Sequence, residues 1–351
     1  MKKRFAFLMA VAMMLSLLVG CGSKGQDNSD GPSTQGTAGS VTLKLTHNAA
    51  DGQAISDACI QLKNEIEEKT EGRVKIDIYG NNILGSETET RDMLLNGTVD
   101  MAAIGYGSLS SYSPVCDLLI SMYIFQSTDE MMAIMKGDFG KKYFDDAFLS
   151  DLGIRVLDQW ATVPRQTIST KPVHSVQDFH GLKVRIPTGI AIWQDSWEAL
   201  GAMVVSQGLG DCFTSMQQGV IDAVEMSVDF IHSYKFQELA KYLTYTNHSM
   251  YTQVMMIRDD VWQRISEEDQ KIMTEAIEKA GIACRERQEA DEADLVADME
   301  QNYGVEVTHL TDDQIAEMQS VTKGLHEKYM SVWGQEAYDD LMSALDAYRS
   351  E

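Results

Sequence analysis

Basic residues are in short supply. Only 29 Lys and Arg stand against 53 Asp and Glu, leaving a formal charge of −24 over 351 residues. So acidic a surface repels phosphate backbones and anionic headgroups, which excludes nucleic acid as a partner and argues against docking on lipid through a basic patch. Paired cysteines are lacking as well: no CxxC occurs, and Cys59, Cys116, Cys212 and Cys284 lie far apart, so zinc-ribbon and thioredoxin-type chemistry falls away. Their even number permits disulfides in an exported chain, while apolar neighbours such as Ala58 and Ile60 suit buried free thiols equally well. The motifs GxSxG, HExxH and GxxxxGK(S/T) are all missing, and the seven histidines show no zinc spacing. These absences lower the case for an enzyme, a metal or a cofactor, although a site assembled from scattered residues would leave no motif.

What is present begins with an address. Lys2, Lys3 and Arg4 precede an apolar run from Phe5 to Leu18, and Leu18-Val19-Gly20-Cys21 follows. That run is too short to cross a hydrocarbon core of ~30 Å comfortably, and a small residue directly before cysteine is the cleavage pattern of an exported lipoprotein. Residues 1–20 therefore read as a signal peptide, with Cys21 as the lipidated first residue of an extracytoplasmic, membrane-anchored protein. Residues 22–40, rich in Gly, Ser, Asp, Asn, Gln and Thr, cannot bury enough apolar surface to fold and read with Cys21 as a tether of ~25 Å reach. No other apolar run is long enough to span a membrane. Loss of the three basic residues of the signal takes the charge from −24 to −27 on the remaining 331 residues, a length that implies two domains. Screening over ~8 Å hides most surface acids from a cleft, so an anion could still be held by a local positive site.

Strand and helix patterns alternate through the body. Val41–Thr46 alternates apolar and polar residues; Ile55, Cys59, Leu62 and Ile66 recur at helical spacing; Val74, Ile76 and Ile78 alternate again, making a βαβ opening. A helix over 86–96 ends at Asn96-Gly97, and the apolar run 99–104 suits a buried parallel strand. Gly105-Tyr106-Gly107 follows, but Ser110 replaces the third glycine of a dinucleotide fingerprint, so a nucleotide reading is weak. Further strands are expected at 154–158, 166–169, 182–186, 221–224 and 254–257. Helices are expected at 192–200, 213–218, 230–243, 267–303, 311–331 and 335–349.

Two arginines stand out in so acidic a chain. Arg165 follows Pro164, and Arg185 sits in a strand between Val184 and Ile186. The planar guanidinium fork matches a carboxylate in a bidentate pair, better aimed than a lysine ammonium. From spacing alone, an ordinary ion pair with one of the 53 acids is the favoured reading of Arg185.

Longer stretches carry more information. Gly181-Leu182-Lys183-Val184-Arg185-Ile186-Pro187, then Ala199-Leu200-Gly201-Ala202, then Met216-Gln217-Gln218-Gly219-Val220-Ile221-Asp222 resemble the solute-binding subunits of tripartite ATP-independent periplasmic (TRAP) transporters, the DctP-like family. The stretches 68–74, 84–87, 96–101 and 235–243 are similar to family patterns in the same order, so the resemblance spans about residues 41–340.

The resemblance implies an α/β, two-lobed, type II-like periplasmic-binding-protein fold with a long connecting helix and a ligand cleft between the lobes. Lobe I is expected to comprise 41–161 plus about 250–290, and lobe II 162–249 plus about 291–351. It implies that Arg185 pairs with a solute carboxylate and that Arg165 assists. Asn48 and Tyr106 fall at ligand-contacting positions, as does Asp211, where the family often has a cleft glutamate. From the residues alone, Asn48 could equally form an Asx turn, Asp211 cap a helix and Tyr106 only pack. One position departs from the pattern: the family usually has Glu-Asn where this chain has Glu225-Met226, replacing an amide with a thioether and giving one wall of the site a less polar surface. The expected solute is a small organic acid, the expected partners are a small four-helix and a large multi-span membrane subunit, and no cofactor is needed. Two alternatives differ in class: an ABC-type binding lipoprotein and a secreted α/β enzyme.

Overall fold

In a computed structural model, residues 40–350 are described. The signal peptide, Cys21 and nearly all of the expected tether lie outside the described residues. Among the described residues eleven strands run in chain order as β1 (Val41–His47), β2 (Val74–Tyr79), β3 (Met101–Gly105), β4 (Ile154–Ala161), β5 (Gln166–Ser169), β6 (Lys183–Ile186), β7 (Met203–Ser206), β8 (Ala223–Met226), β9 (Tyr242–Tyr245), β10 (Thr252–Arg258) and β11 (Glu306–His309). They form two sheets, ordered β2-β1-β3-β10-β4 and β11-β9-β5-β8-β6-β7. Each sheet, with the helices on it, is one lobe.

The first lobe grows from its hydrophobic pattern. Leu43 and Leu45 of β1 pair in parallel register with Ile76 and Ile78 of β2. Helix Ala54–Lys69 lays Ile55, Cys59, Leu62 and Ile66 onto that sheet, all of them buried. Each aliphatic side chain so buried contributes about 1.5–3 kcal/mol before the cost of ordering the chain. β3 is buried along its whole length because β1 flanks it in parallel and β10 in antiparallel register. That antiparallel neighbour comes from 150 residues further along, a pairing that local periodicity does not reveal.

Two expected helices are divided. The apolar spacing over 230–243 predicts one helix, but the chain forms helix Val228–Ser233, turns at Lys235 with φ of 62°, and continues as strand β9. Pairing of β9 with both β5 and β11 satisfies its backbone on both sides and overrides the helical spacing. The segment 311–331 is likewise two helices, Asp312–Lys323 and His326–Trp333, with Gly324 at the break.

The 37-residue helix Glu267–Tyr303 is ~55 Å long and touches both lobes. Lys279 pairs with Glu65 of the first lobe at 2.8 Å, while Gln288 Nε2 donates to Asp229 Oδ2 of the second at 2.9 Å and Tyr245 Oη donates to Glu292 Oε1 at 2.9 Å. At Gly281 the helix meets β4 so closely that a Cβ there would lie 2.4 Å from Trp160 Cδ1.

The division of the C-terminal segment needs correction. The whole of 291–351 is expected in the second lobe, yet the last helix, Gln335–Arg349, packs on the first. Asp340 takes Lys142 at 2.8 Å and the Tyr143 hydroxyl at 2.9 Å, and Arg349 Nε reaches Glu130 Oε1 at 2.5 Å. Leu341 and Leu345 complete a core shared with Phe139, Phe144 and Phe148. Among the described residues no helix is long and apolar enough to cross a membrane, and Cys59, Cys116, Cys212 and Cys284 are all buried free thiols.

A candidate solute cleft between the lobes

Both sheets end on a common cleft. From the first lobe Asn48, Glu87, Tyr251 and Gln253 line it; from the second come Arg165, Arg185, Met226 and Phe230.

Arg185 owes its place to strand alternation. Val184 and Ile186 are buried in the core on one side of β6, so Arg185 between them points to the other, where it is 4% exposed on the cleft wall. Its Nε donates to the Gln207 carbonyl at 2.9 Å, which fixes the fork. Among the described residues it has no acidic partner within ion-pair distance. A buried guanidinium without a counter-ion is costly, and a bound anion is the group that offsets that cost.

Arg165 is differently placed. Its Nε donates to Glu225 Oε2 at 2.6 Å, a second nitrogen donates to the Glu225 carbonyl, and the guanidinium lies 4.8 Å from the Trp193 ring and 5.1 Å from the Tyr251 ring. Glu225 is fully buried and also meets His248 Nε2 at 3.2 Å, with His248 Nδ1 held by Thr246 at 2.8 Å. Burial pushes the Glu225 carboxyl up, but Arg165 and His248 outweigh it and hold the carboxyl below the usual range. Burial pushes His248 down. Arg165 is thus neutralised within the protein and Arg185 is not.

Asn48 follows β1 and is half-buried in the wall; its Nδ2 donates to Glu87 Oε1 at 2.8 Å, and its carbonyl accepts from Tyr234 Oη at 3.0 Å. Met226 lines the cleft beside Phe230, a less polar patch of wall. Three expected residues do not line it. Tyr106 is 1% exposed inside the first lobe, its ring 4.6 Å from Phe144 and its hydroxyl held by Gln159, so it packs beneath the wall. Asp211 is exposed at the start of helix Cys212–Gln217, caps it with no side-chain hydrogen bond, and leaves the wall to its neighbours Gly208 and Leu209. Glu225 stands behind the wall and acts on it through Arg165.

Glu87 and Gln253 were not anticipated as site residues. A capping box sets Glu87: Ser86 N donates to Glu89 Oε2 at 2.7 Å and Ser86 Oγ accepts from Glu89 N at 3.4 Å, which puts Glu87 at the first position of helix Glu87–Asn96, facing the cavity. The signal available was the serine three residues before Glu89, inside one of the stretches that carry the family resemblance. Burial pushes the Glu87 carboxyl up, against the Gly105 N–H, Arg165 and Gln253. Gln253 comes from β10, whose place beside β3 has no local signature.

A cleft between two α/β lobes, with a guanidinium in its wall that has no acidic partner among the described residues, defines a solute-binding protein. The chain belongs to the bacterial extracellular solute-binding protein family 7, the DctP family, whose pattern it matches over residues 45–332. It is similar to a solute-binding protein of Roseobacter denitrificans, at 31% identity over 67% of this chain and 72% of that one. It is similar as well to the sialic acid-binding periplasmic protein of Vibrio cholerae, at 27% identity over 77% and 83%. A TRAP periplasmic solute-binding protein of Chromohalobacter salexigens with bound D-glucuronate shares the fold, with a TM-score of 0.81 at 24% identity over 87% of this chain and 99% of that one. The chain is therefore a TRAP-type solute-binding protein and serves transport rather than catalysis.

Proposed function

We propose that this protein captures a small organic acid outside the cytoplasm, closes over it, and delivers it to the membrane subunits of a TRAP transporter while held to the membrane by a lipid on Cys21. The observation that carries the reading is Arg185: a guanidinium 4% exposed, fixed by the Gln207 carbonyl, unpaired among the described residues and facing the cleft. Its two outer nitrogens suit a bidentate carboxylate. The relatives that bind sialic acid and D-glucuronate support the same solute class.

Closure follows from what each lobe contributes. Arg185 holds the carboxylate from the second lobe, while Asn48 and Glu87 approach from the first. The ligand favours the closed form only by contacts it makes better there. Tyr234 of the second lobe bonds the Asn48 carbonyl at 3.0 Å and Asn82 Nδ2 at 3.1 Å, so protein contacts also join the lobes at the rim.

The test is thermal unfolding against mono- and dicarboxylates, sugar acids, amino acids and neutral sugars, with Arg185→Ala beside the natural chain. A true solute at 100 times its dissociation constant adds about 2.7 kcal/mol of stability. Stabilisation by acids that Arg185→Ala abolishes is the expected result; stabilisation by neutral sugars alone, or by acids to an equal extent in the variant, overturns it. Lipidation is read from the intact mass of the membrane-extracted chain, which Cys21→Ala should lower by the lipid while releasing the protein.

A further inference from the structure

The two walls of the cleft differ in hydrogen-bonding sense. On the second lobe the free groups are the outer nitrogens of Arg185, which only donate. On the first lobe the free groups are mainly acceptors. Glu87 Oε1 accepts from Asn48 Nδ2 at 2.8 Å and from the Gly105 N–H at 3.2 Å, and the Gln253 side chain also acts on the carboxylate, whose remaining lone pairs face the cleft. Asn48 Oδ1 and Gln253 Oε1, on two further lining residues, are buried without partners. The Tyr251 hydroxyl can turn either way. An unpaired acceptor in a closing cleft loses its water with no return, so a donor on the solute is what relieves it.

Charge points the same way. Glu225 neutralises Arg165 by direct contact, whereas Arg185 has no acid within ion-pair distance among the described residues and feels Glu87 only across the cleft. A single carboxylate balances it. A second carboxylate on the far end of the solute would face Glu87 and find acceptors where it needs donors. Phe230, Met226, Leu209 and Ile190 supply apolar contact for the carbon frame between the ends.

Resting on the reading that Arg185 binds a carboxylate, we propose that the solute is a monocarboxylate whose other end donates hydrogen bonds, from hydroxyl or amino groups, to Glu87, Asn48 and Gln253, and that Glu87 is the residue that excludes dicarboxylates.

The experiment is titration calorimetry of the purified chain with four sets of ligands: gluconate and glucuronate; β-alanine and 4-aminobutyrate; butyrate and hexanoate, which have no donors; and succinate and glutarate. The expected result is binding of a hydroxylated or an aminated monocarboxylate at least tenfold tighter than any donor-free or dicarboxylic acid, with the tighter set identifying the donor. Glu87→Gln, its fold checked by circular dichroism, should weaken that ligand about tenfold and strengthen succinate, since the amide can donate to the second carboxylate. Succinate or hexanoate binding as tightly as any donor-bearing acid, and losing that binding in Arg185→Ala, overturns this inference and leaves the carboxylate reading standing. Absence of binding by every carboxylate, or binding indifferent to Arg185→Ala, overturns both.

Discussion

Arg165 and Glu225 are joined twice, through Nε to Oε2 at 2.6 Å and through Nη2 to the Glu225 carbonyl, inside a core where Glu225 is wholly buried. The two arginines of the cleft therefore have different tasks, and substitution separates them. Arg165→Ala strands a buried carboxylate and should cost about 3–5 kcal/mol of stability, visible in urea unfolding. Arg185→Ala leaves no such orphan and should unfold near the natural midpoint while losing most affinity for the acid. A large loss of stability in Arg185→Ala with affinity retained would reverse the assignment.

The rim contact of Tyr234 yields a second expectation. Its hydroxyl gives one bond to the Asn48 carbonyl and takes one from Asn82 across the lobes. Each such bond contributes about 1 kcal/mol net. Tyr234→Phe should therefore weaken solute binding roughly five- to thirtyfold, chiefly as faster release, with the unfolding midpoint of the unliganded chain little changed. Stopped-flow measurement of the dissociation rate checks this; an unchanged rate contradicts it.

Acid should weaken the first lobe through His47. Burial, outweighing Asp51 and the Ala49 backbone, holds its pKa at about 4. A folded value below the unfolded one favours the neutral ring, so His47 contributes stability above about pH 6.5 and loses it as pH falls toward about 4. The shift corresponds to about 3 kcal/mol. His248, also pushed down by burial, and Glu225, pushed up by burial but held low overall by Arg165 and His248, act in the same direction. The gap in stability between the natural chain and His47→Gln should narrow as pH drops from 7 to 4. Comparing the two chains cancels the opposing carboxyls, such as Asp117 at about 6. A constant gap would exclude His47 as the source.

Gly281 sits in the middle of the long helix, where alanine would ordinarily gain about 1 kcal/mol. Here the added Cβ meets Trp160 Cδ1 at 2.4 Å and Asp158 Oδ2 at 2.9 Å, and the Trp160 ring is fixed by its bond to the Ile277 carbonyl at 3.2 Å. Sterics should win, so Gly281→Ala is expected to destabilise by about 1–3 kcal/mol in thermal or urea unfolding. A stabilised variant would mean that helix and sheet can part there at no cost.

Elements whose faces are set by local pattern were legible before the fold was known: β1 and its helix, the 37-residue helix down to its end residues, and the strand carrying Arg185. What escaped depended on distant partners. β9 reads as helix until β5 and β11 are there to pair with it, and the last helix crosses back to the first lobe, where Leu341 and Leu345 join the core of Phe139 and Phe144. The site divides in the same way. Arg165, Arg185, Asn48 and Met226 reach the cleft from positions that a family pattern marks. Glu87 carries a capping signal but no chemical motif, Gln253 arrives on a strand whose neighbours are chosen by topology, and Tyr106 and Asp211 stand one layer away from positions that spacing alone could not resolve.

The return of the last helix has a mechanical consequence. The described chain enters through β1 and leaves through Gln335–Arg349, so both ends belong to the lobe that carries Glu87. A pull applied at either end is borne by that lobe without loading the crossings between the two. The lobe bearing Arg185 is then the one left to swing while its companion carries the load.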